Sequence, residues 1–184
     1  MITPAAVGKK YGSLGPYLTR LRTIVRDTLQ PFVDRRGYAI VSRIKSLESL
    51  AEKLVESGRY KGWSELDDLI AFTVVVPTLS DEAPVINFLT SVFEKVSLRA
   101  RGASDKAPEV FRFDGTRFIA RLKPSGSPGR ENIEAITFEV QIRSAFEHAW
   151  SVTTHALSYK TANVTWERFG WPHNSRRLSS SSTL

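Results

Sequence analysis

FEVQIRSAFEHAWSVTTHALSYK, from Phe138 to Lys160, joins two periodicities at one point. Phe138, Val140 and Ile142 alternate with Glu139, Gln141 and Arg143, the two-residue period of a strand with one face on a core. The other face carries an acid, an amide and an arginine in a row, so it doubles as a polar site. From Ser144 the spacing becomes helical: Ser144 can cap the first turn, and Glu147 can reach back to close a capping box. Phe146, Ala149, Trp150, Thr153 and Leu157 recur every three or four positions and are expected to form the buried stripe. His148, Ser151 and His155 fall on another face, beside the strand's polar row. The two histidines stand seven residues apart, about 10 Å along a helix, too far to share one metal. Packing in the core or at the surface is the commoner role for each.

Around this stretch the chain reads as one domain, with length enough for a real core in its 184 residues. A net charge of +7 suits an anionic partner such as nucleotide phosphate or RNA, although a merely basic, soluble protein has the same composition. There is no cysteine, which excludes thiol chemistry and disulfides and fits a cytoplasmic protein. The longest apolar run, Leu69 to Val76, is too short to span a bilayer, so no membrane partner is expected. Homo-oligomerisation is left open.

Residues 1–10 carry no periodic signal and read as a loose start. Leu18, Leu21, Ile24, Val25 and Leu29 predict a scaffold helix from Tyr17 to Gln30, and Gly37 breaks it before an extended segment from Tyr38 to Lys45. Leu47, Leu50, Ala51 and Leu54 predict a second helix, with Ser49 and Lys53 on another face. Arg43 and Lys45 precede its first turn, near Ser46. Unpaired backbone N–H groups at a helix start favour phosphate, and charge-assisted bonds are worth roughly 1.5–3 kcal/mol each. Three or four of them could hold a triphosphate, although a short basic helix start is common and usually only solvated.

Gly58 and Gly62 mark a turn before Trp63 and the pair Asp67–Asp68. Leu69 to Val76, stopped by Pro77, predicts a strand buried on both faces. An acid at the mouth of such a strand is costly unless solvated, paired or holding a cation, which singles out Asp68. Ser80 to Val96 predicts a helix, with strands around Leu98–Arg101, Glu109–Phe113 and Thr116–Leu122. The loop Lys123–Glu131 then returns the chain to Phe138. The fold class expected is α+β, a mixed sheet flanked by helices. The domain is expected over 1–168, with a helical part at about 11–57, a sheet core at about 66–160 and an irregular tail at 169–184. The codons allowed for that tail, read two bases later, can also spell an amphipathic helix, which raises a frameshift as an alternative to a disordered tail.

Glu139-Val-Gln-Ile-Arg143, then His148-Ala-Trp150, then His155 and Tyr159-Lys160 resemble the end of the RelA/SpoT synthetase domain. Arg43, Lys45, Ser49 and Lys53 match that family's basic motif in all four places, and Asp68-Leu-Ile-Ala resembles its metal-binding aspartate and following strand. The resemblance implies a nucleotidyltransferase-like fold and transfer of pyrophosphate from ATP to the 3′-hydroxyl of GDP or GTP. It implies that Arg43, Lys45, Ser49 and Lys53 bind ATP and that Asp68 holds Mg²⁺; if the strands of Asp68 and Glu139 are neighbours, about 4.8 Å apart, both carboxylates could serve that ion. Glu139 can also, or instead, take the proton of the attacking hydroxyl. Gln141, Arg143, Arg117 and His148 are expected on the acceptor side.

Two departures concern that side and its neighbour. The family's arginine five residues after the aspartate is Thr73 here. Its Gly-Tyr-Arg/Lys-Ser-x-His motif becomes Gly115-Thr116-Arg117-Phe118-Ile119-Ala120, without the stacking tyrosine or the histidine. Phe111, Phe113 or Phe118 could supply another aromatic face. A different acceptor, such as the 3′ end of tRNA, and a catalytically silent nucleotide-binding relative are the alternative readings.

Overall fold

In the computed structural model, described over residues 5–57, 66–102 and 115–160, the longest helix is α1, Ala5–Arg36. Leu18, Leu21, Val25, Leu29 and Val33 are its buried stripe. Pro16 suits a helix start, which is where the sequence reading opens the helix, yet the helix runs back through it to Ala5 and contains Pro31 as well. Each interior proline costs about 3 kcal/mol. Five buried aliphatic side chains at roughly 1.5–3 kcal/mol each outweigh the pair, so the expected loose start at residues 1–10 is helical from Ala5. Gly37, at φ 65°, ends the helix: its N–H donates to Asp34 O at 3.2 Å and that of Tyr38 to Val33 O at 3.0 Å. This is the paired-bond stop that a left-handed glycine allows.

β1 (Ala39–Ile44) leads into α2 (Leu47–Ser57), and β2 (Ile70–Val76) follows. After a short 3-10 turn at Leu79–Asp81, α3 spans Glu82–Val92 and β3 spans Glu94–Arg99. The predicted helix to Val96 therefore stops four residues early. Val92 and Val96 are spaced for a helix, but Glu94 to Arg99 also alternates, and pairing with the next strand decides for the sheet. β4 (Thr116–Arg121), α4 (Glu131–Glu134), β5 (Phe138–Ser144) and α5 (Ala145–Lys160) complete the order. The expected turn at Gly58–Gly62, the Glu109–Phe113 strand and the tail lie outside the described residues.

The five strands form one mixed sheet in the order β1-β2-β5-β4-β3. β5 lies parallel to β2 and antiparallel to β4, while β1–β2 and β3–β4 are antiparallel. Register assigns the faces. Ile70, Phe72, Val74, Phe138, Val140, Ile142, Phe118 and Ala120 share one face, which is almost wholly buried. Helix α1 packs on β1 and β2, and α3 on β3 and β5. The rings of Phe72 and Phe93 both meet Phe138 edge-on, at 5.9 and 5.1 Å.

Residues 1–149 and 150–184 form two units. The first holds the whole sheet and the first turn of α5. In the second, the described residues continue α5, where the Thr154 hydroxyl donates to the carbonyls of Trp150 and Ser151 at 2.9 and 3.2 Å.

Candidate functional site

The polar row of β5 is the centre of the second face of the sheet. Glu139 is opposite Ala71 and Ile119, Gln141 opposite Thr73 and Arg117, and Arg43 on β1 opposite Ala71. Directly opposed residues share a side, so Arg43, Thr73, Arg117, Glu139, Gln141 and Arg143 all project from this face. A strand with an outward polar row ordinarily leaves that row in water. Here Glu139 is 3% and Gln141 9% exposed, so β5 is buried on both faces.

Burial demands partners for such groups, and the row supplies them in series. Arg143 Nη2 donates to Gln141 Oε1 at 2.7 Å, and Gln141 Nε2 donates to Glu139 Oε2 at 3.0 Å. The other Glu139 oxygen is 3.5 Å from Arg117 Nε. Burial pulls the Arg143 guanidinium below its ordinary value. Arg117 pulls the same way, Glu139 opposes it, and Arg43 adds a smaller push downward. Arginines from β4 and β1 thus oppose the charge of Arg143, which an anion on this face would relieve.

Lys45 and Asp68 form the second half. Lys45 Nζ is 2.8 Å from Asp68 Oδ2, and the Lys45 N–H donates to Leu69 O at 2.9 Å. The Tyr11 hydroxyl of α1 donates to the Lys45 carbonyl at 2.6 Å. Asp68 precedes β2 and stands three residues before Ala71, the partner of Glu139. The two carboxylates sit on adjoining chain segments, one beside Lys45 and the other between Arg117 and Gln141. Among the described residues no three His, Cys, Asp or Glu side chains converge.

At the start of α2, the Ser49 N–H donates to Ser46 Oγ at 3.3 Å and that of Leu50 to Ser46 O at 3.0 Å. Ser49 is exposed, and Lys53 falls on the helix with its side chain outside the described part. His148 lies on the first turn of α5. Its Nδ1 is buried without a hydrogen-bond partner among the described residues.

The two motif positions that lack the family's tyrosine and histidine fall on the opposite face, while Thr73 stays on the polar one. Thr116 is buried across from Ile142, and Ala120 across from Phe138. The Thr116 hydroxyl donates to Glu82. Glu82 also accepts from Arg101 Nη2 at 3.5 Å, and Arg101 Nη1 donates to Glu147. Glu147 closes the expected capping box: the Ser144 N–H donates to it at 2.9 Å, and its own N–H donates to Ser144 Oγ at 3.3 Å. This corrects the predicted stripe of α5. Glu147 is buried, whereas Phe146 is 66% exposed and Ala149 is exposed too. Ionic anchoring of the first turn, not apolar spacing, sets the helix's rotation there. The Arg101 cluster and the Tyr11 contact have no local sequence signal, because their partners are 15 to 46 residues away. Phe111 and Phe113 are outside the described residues, and Phe118 is fully buried on the core face.

The family described as a region found in RelA and SpoT proteins matches residues 42–164. No curated protein matches the sequence. Among solved structures, a GTP pyrophosphokinase family protein from Streptococcus pneumoniae is similar at 18% identity over 90% of this chain and 81% of that one, with a TM-score of 0.62. Small alarmone synthetase 1 from Bacillus subtilis bound to its product pppGpp is similar at 17% identity, over 88% and 85%, with a TM-score of 0.66. The same synthetase bound to AMPCPP gives 16%, 88%, 85% and 0.63. At these identities the likeness speaks for the fold.

Proposed function

Since this chain belongs to the RelA/SpoT family, we propose that it is a (p)ppGpp synthetase-like pyrophosphokinase, moving pyrophosphate from ATP to the 3′-hydroxyl of GDP or GTP. The observation that best supports this reading is that the Lys45–Asp68 pair, at 2.8 Å, stands just before β2, the strand next to the buried Glu139 row of β5. The B. subtilis relative solved with pppGpp and with AMPCPP supports the choice of nucleotides.

In this reading Arg43, Lys45, Ser49 and Lys53 grip the ATP phosphates at the start of α2, where N–H groups face the same way. Gln141, Arg143, Arg117 and His148 hold the acceptor. Glu139 takes the proton from the 3′-hydroxyl as its oxygen bonds to the β-phosphorus of ATP. The bond from that phosphorus to the α,β-bridging oxygen breaks, and AMP leaves. Arg117 and Gln141 keep the Glu139 carboxylate aimed while it is buried, a positioning role.

Asp68, a hard oxygen donor at the mouth of β2 beside Lys45, is the residue that would hold Mg²⁺. When bound, it would neutralise the charge of the transferring phosphates. Glu139 was expected to share that ion. Its contacts with Arg117 and Gln141 favour the proton role.

The test is incubation with γ-labelled ATP, Mg²⁺ and GDP or GTP. Labelled guanosine product with matching AMP is expected, and its absence overturns the assignment. Thr116 and Ala120 favour one second reading, an RNA 3′ end as acceptor, because the family's tyrosine and histidine are missing from those positions. Label appearing in RNA and not in guanosine nucleotide would select it. No AMP under any condition would select the silent relative.

A further inference from the structure

We infer that Tyr11, thirty-one residues before the family-matched region begins, is a positioning residue for the ATP phosphate site, and so deepens the reading above, on which the inference rests. Lys45 is held at three points: its N–H by Leu69 O at 2.9 Å, its ammonium by Asp68 at 2.8 Å, and its carbonyl by the Tyr11 hydroxyl at 2.6 Å. The first two come from the turn before β2. The third comes from α1 and is the one that fixes the peptide leading into Ser46 and α2. That peptide sets the direction of the first α2 N–H groups, because Ser46 O accepts from Leu50 and Ser46 Oγ from Ser49.

The first turns of α1 meet the same corner a second time. A Cβ added at Gly8 would lie 3.9 Å from Leu47 Cδ2, the first residue of α2. Gly8 and Tyr11 are three apart and share a helix face. Tyr11 is half-buried and packs on the core, so its hydroxyl is delivered by a fixed ring. A half-buried carbonyl that loses its donor is left unsatisfied, and the strand-to-helix corner is then free to rotate, carrying the Lys45 ammonium and the α2 N–H groups off a common phosphate.

The test is Tyr11→Phe, which keeps the ring and removes only the hydroxyl, beside Leu14→Ala as a control for lost α1 packing. AMPCPP binding measured by calorimetry should weaken about three- to tenfold in Tyr11→Phe, with GDP binding unchanged. Leu14→Ala should lower the melting temperature at least as far without that selective loss. Equal affinity in Tyr11→Phe, or an equal loss in both variants, overturns the inference. Wild-type protein that binds no AMPCPP would remove the functional reading itself. Amide exchange of the nucleotide-free protein decides about Tyr11 in that case: faster exchange at Ser49 and Leu50 in Tyr11→Phe supports the positioning role, and unchanged protection overturns it.

Discussion

Glu139 is a carboxylate almost out of reach of water, flanked by Arg117 at 3.5 Å and Gln141 at 3.0 Å. A buried charge with two donors is stable in place and still has lone pairs for an incoming hydroxyl proton. Glu139→Gln should lower kcat about 10²–10⁴-fold while AMPCPP affinity by calorimetry stays within a factor of about three. Lys45→Ala should do the reverse, weakening AMPCPP about tenfold or more, the scale of a lost charge-assisted contact. Among single residues, Glu139, Gln141 and Arg143 were legible as the polar row of a strand and Asp68 as an acid at a strand mouth, while Arg43 and Lys45 drew their weight from the family resemblance. Tyr11 was not legible. Tyrosine in a helix is unremarkable until its partner, Lys45, is brought to it from 34 positions away.

At the scale of elements, the strand-to-helix junction at Ser144 was legible because capping is local chemistry, whereas the rotation of α5 was not. Its apolar spacing points Phe146 inward, but Arg101, arriving from the end of β3, draws Glu147 into that place. Ser144→Ala should therefore cost about 1 kcal/mol, the usual loss at a cap, read as a lowered midpoint in urea. The 3-10 turn before α3 carries a second such device. Asp81 accepts hydrogen bonds from Tyr38 Oη at 2.9 Å and from the Thr78 backbone N–H and hydroxyl at 3.2 and 2.9 Å. The Tyr38 bond, then that of the Thr78 hydroxyl, holds its carboxyl below the usual carboxylate value. A depressed folded value means stabilisation that is complete above the unfolded pKa and disappears as pH falls through the folded one. Asp81→Asn should lower stability at neutral pH and flatten the acid side of a stability–pH curve below about pH 4.

At the scale of the whole sheet, one face packs on the core and the other carries the polar row of β5, a division that the alternation in β5 foretold. What the sequence could not give is the strand order, since it depends on which edges meet across the chain. Phe138, fully buried between Phe72 and Phe93, is the keystone of the core face. Phe138→Ala should cost about 3–5 kcal/mol by chemical denaturation. The order β1-β2-β5-β4-β3 also has a temporal side. A ribosome delivers the two outer pairs first and the strand that welds them last, so β2 and β4 wait with bare hydrogen-bonding edges until residue 144 is out. Bare edges recruit other chains. Nascent chains arrested at Thr137 should be captured by chaperones and digested readily, while chains with β5 and α5 clear of the ribosome become protease-resistant. Translation speed through β5 and α5 should then affect yield, read as soluble protein from slow- and fast-codon genes.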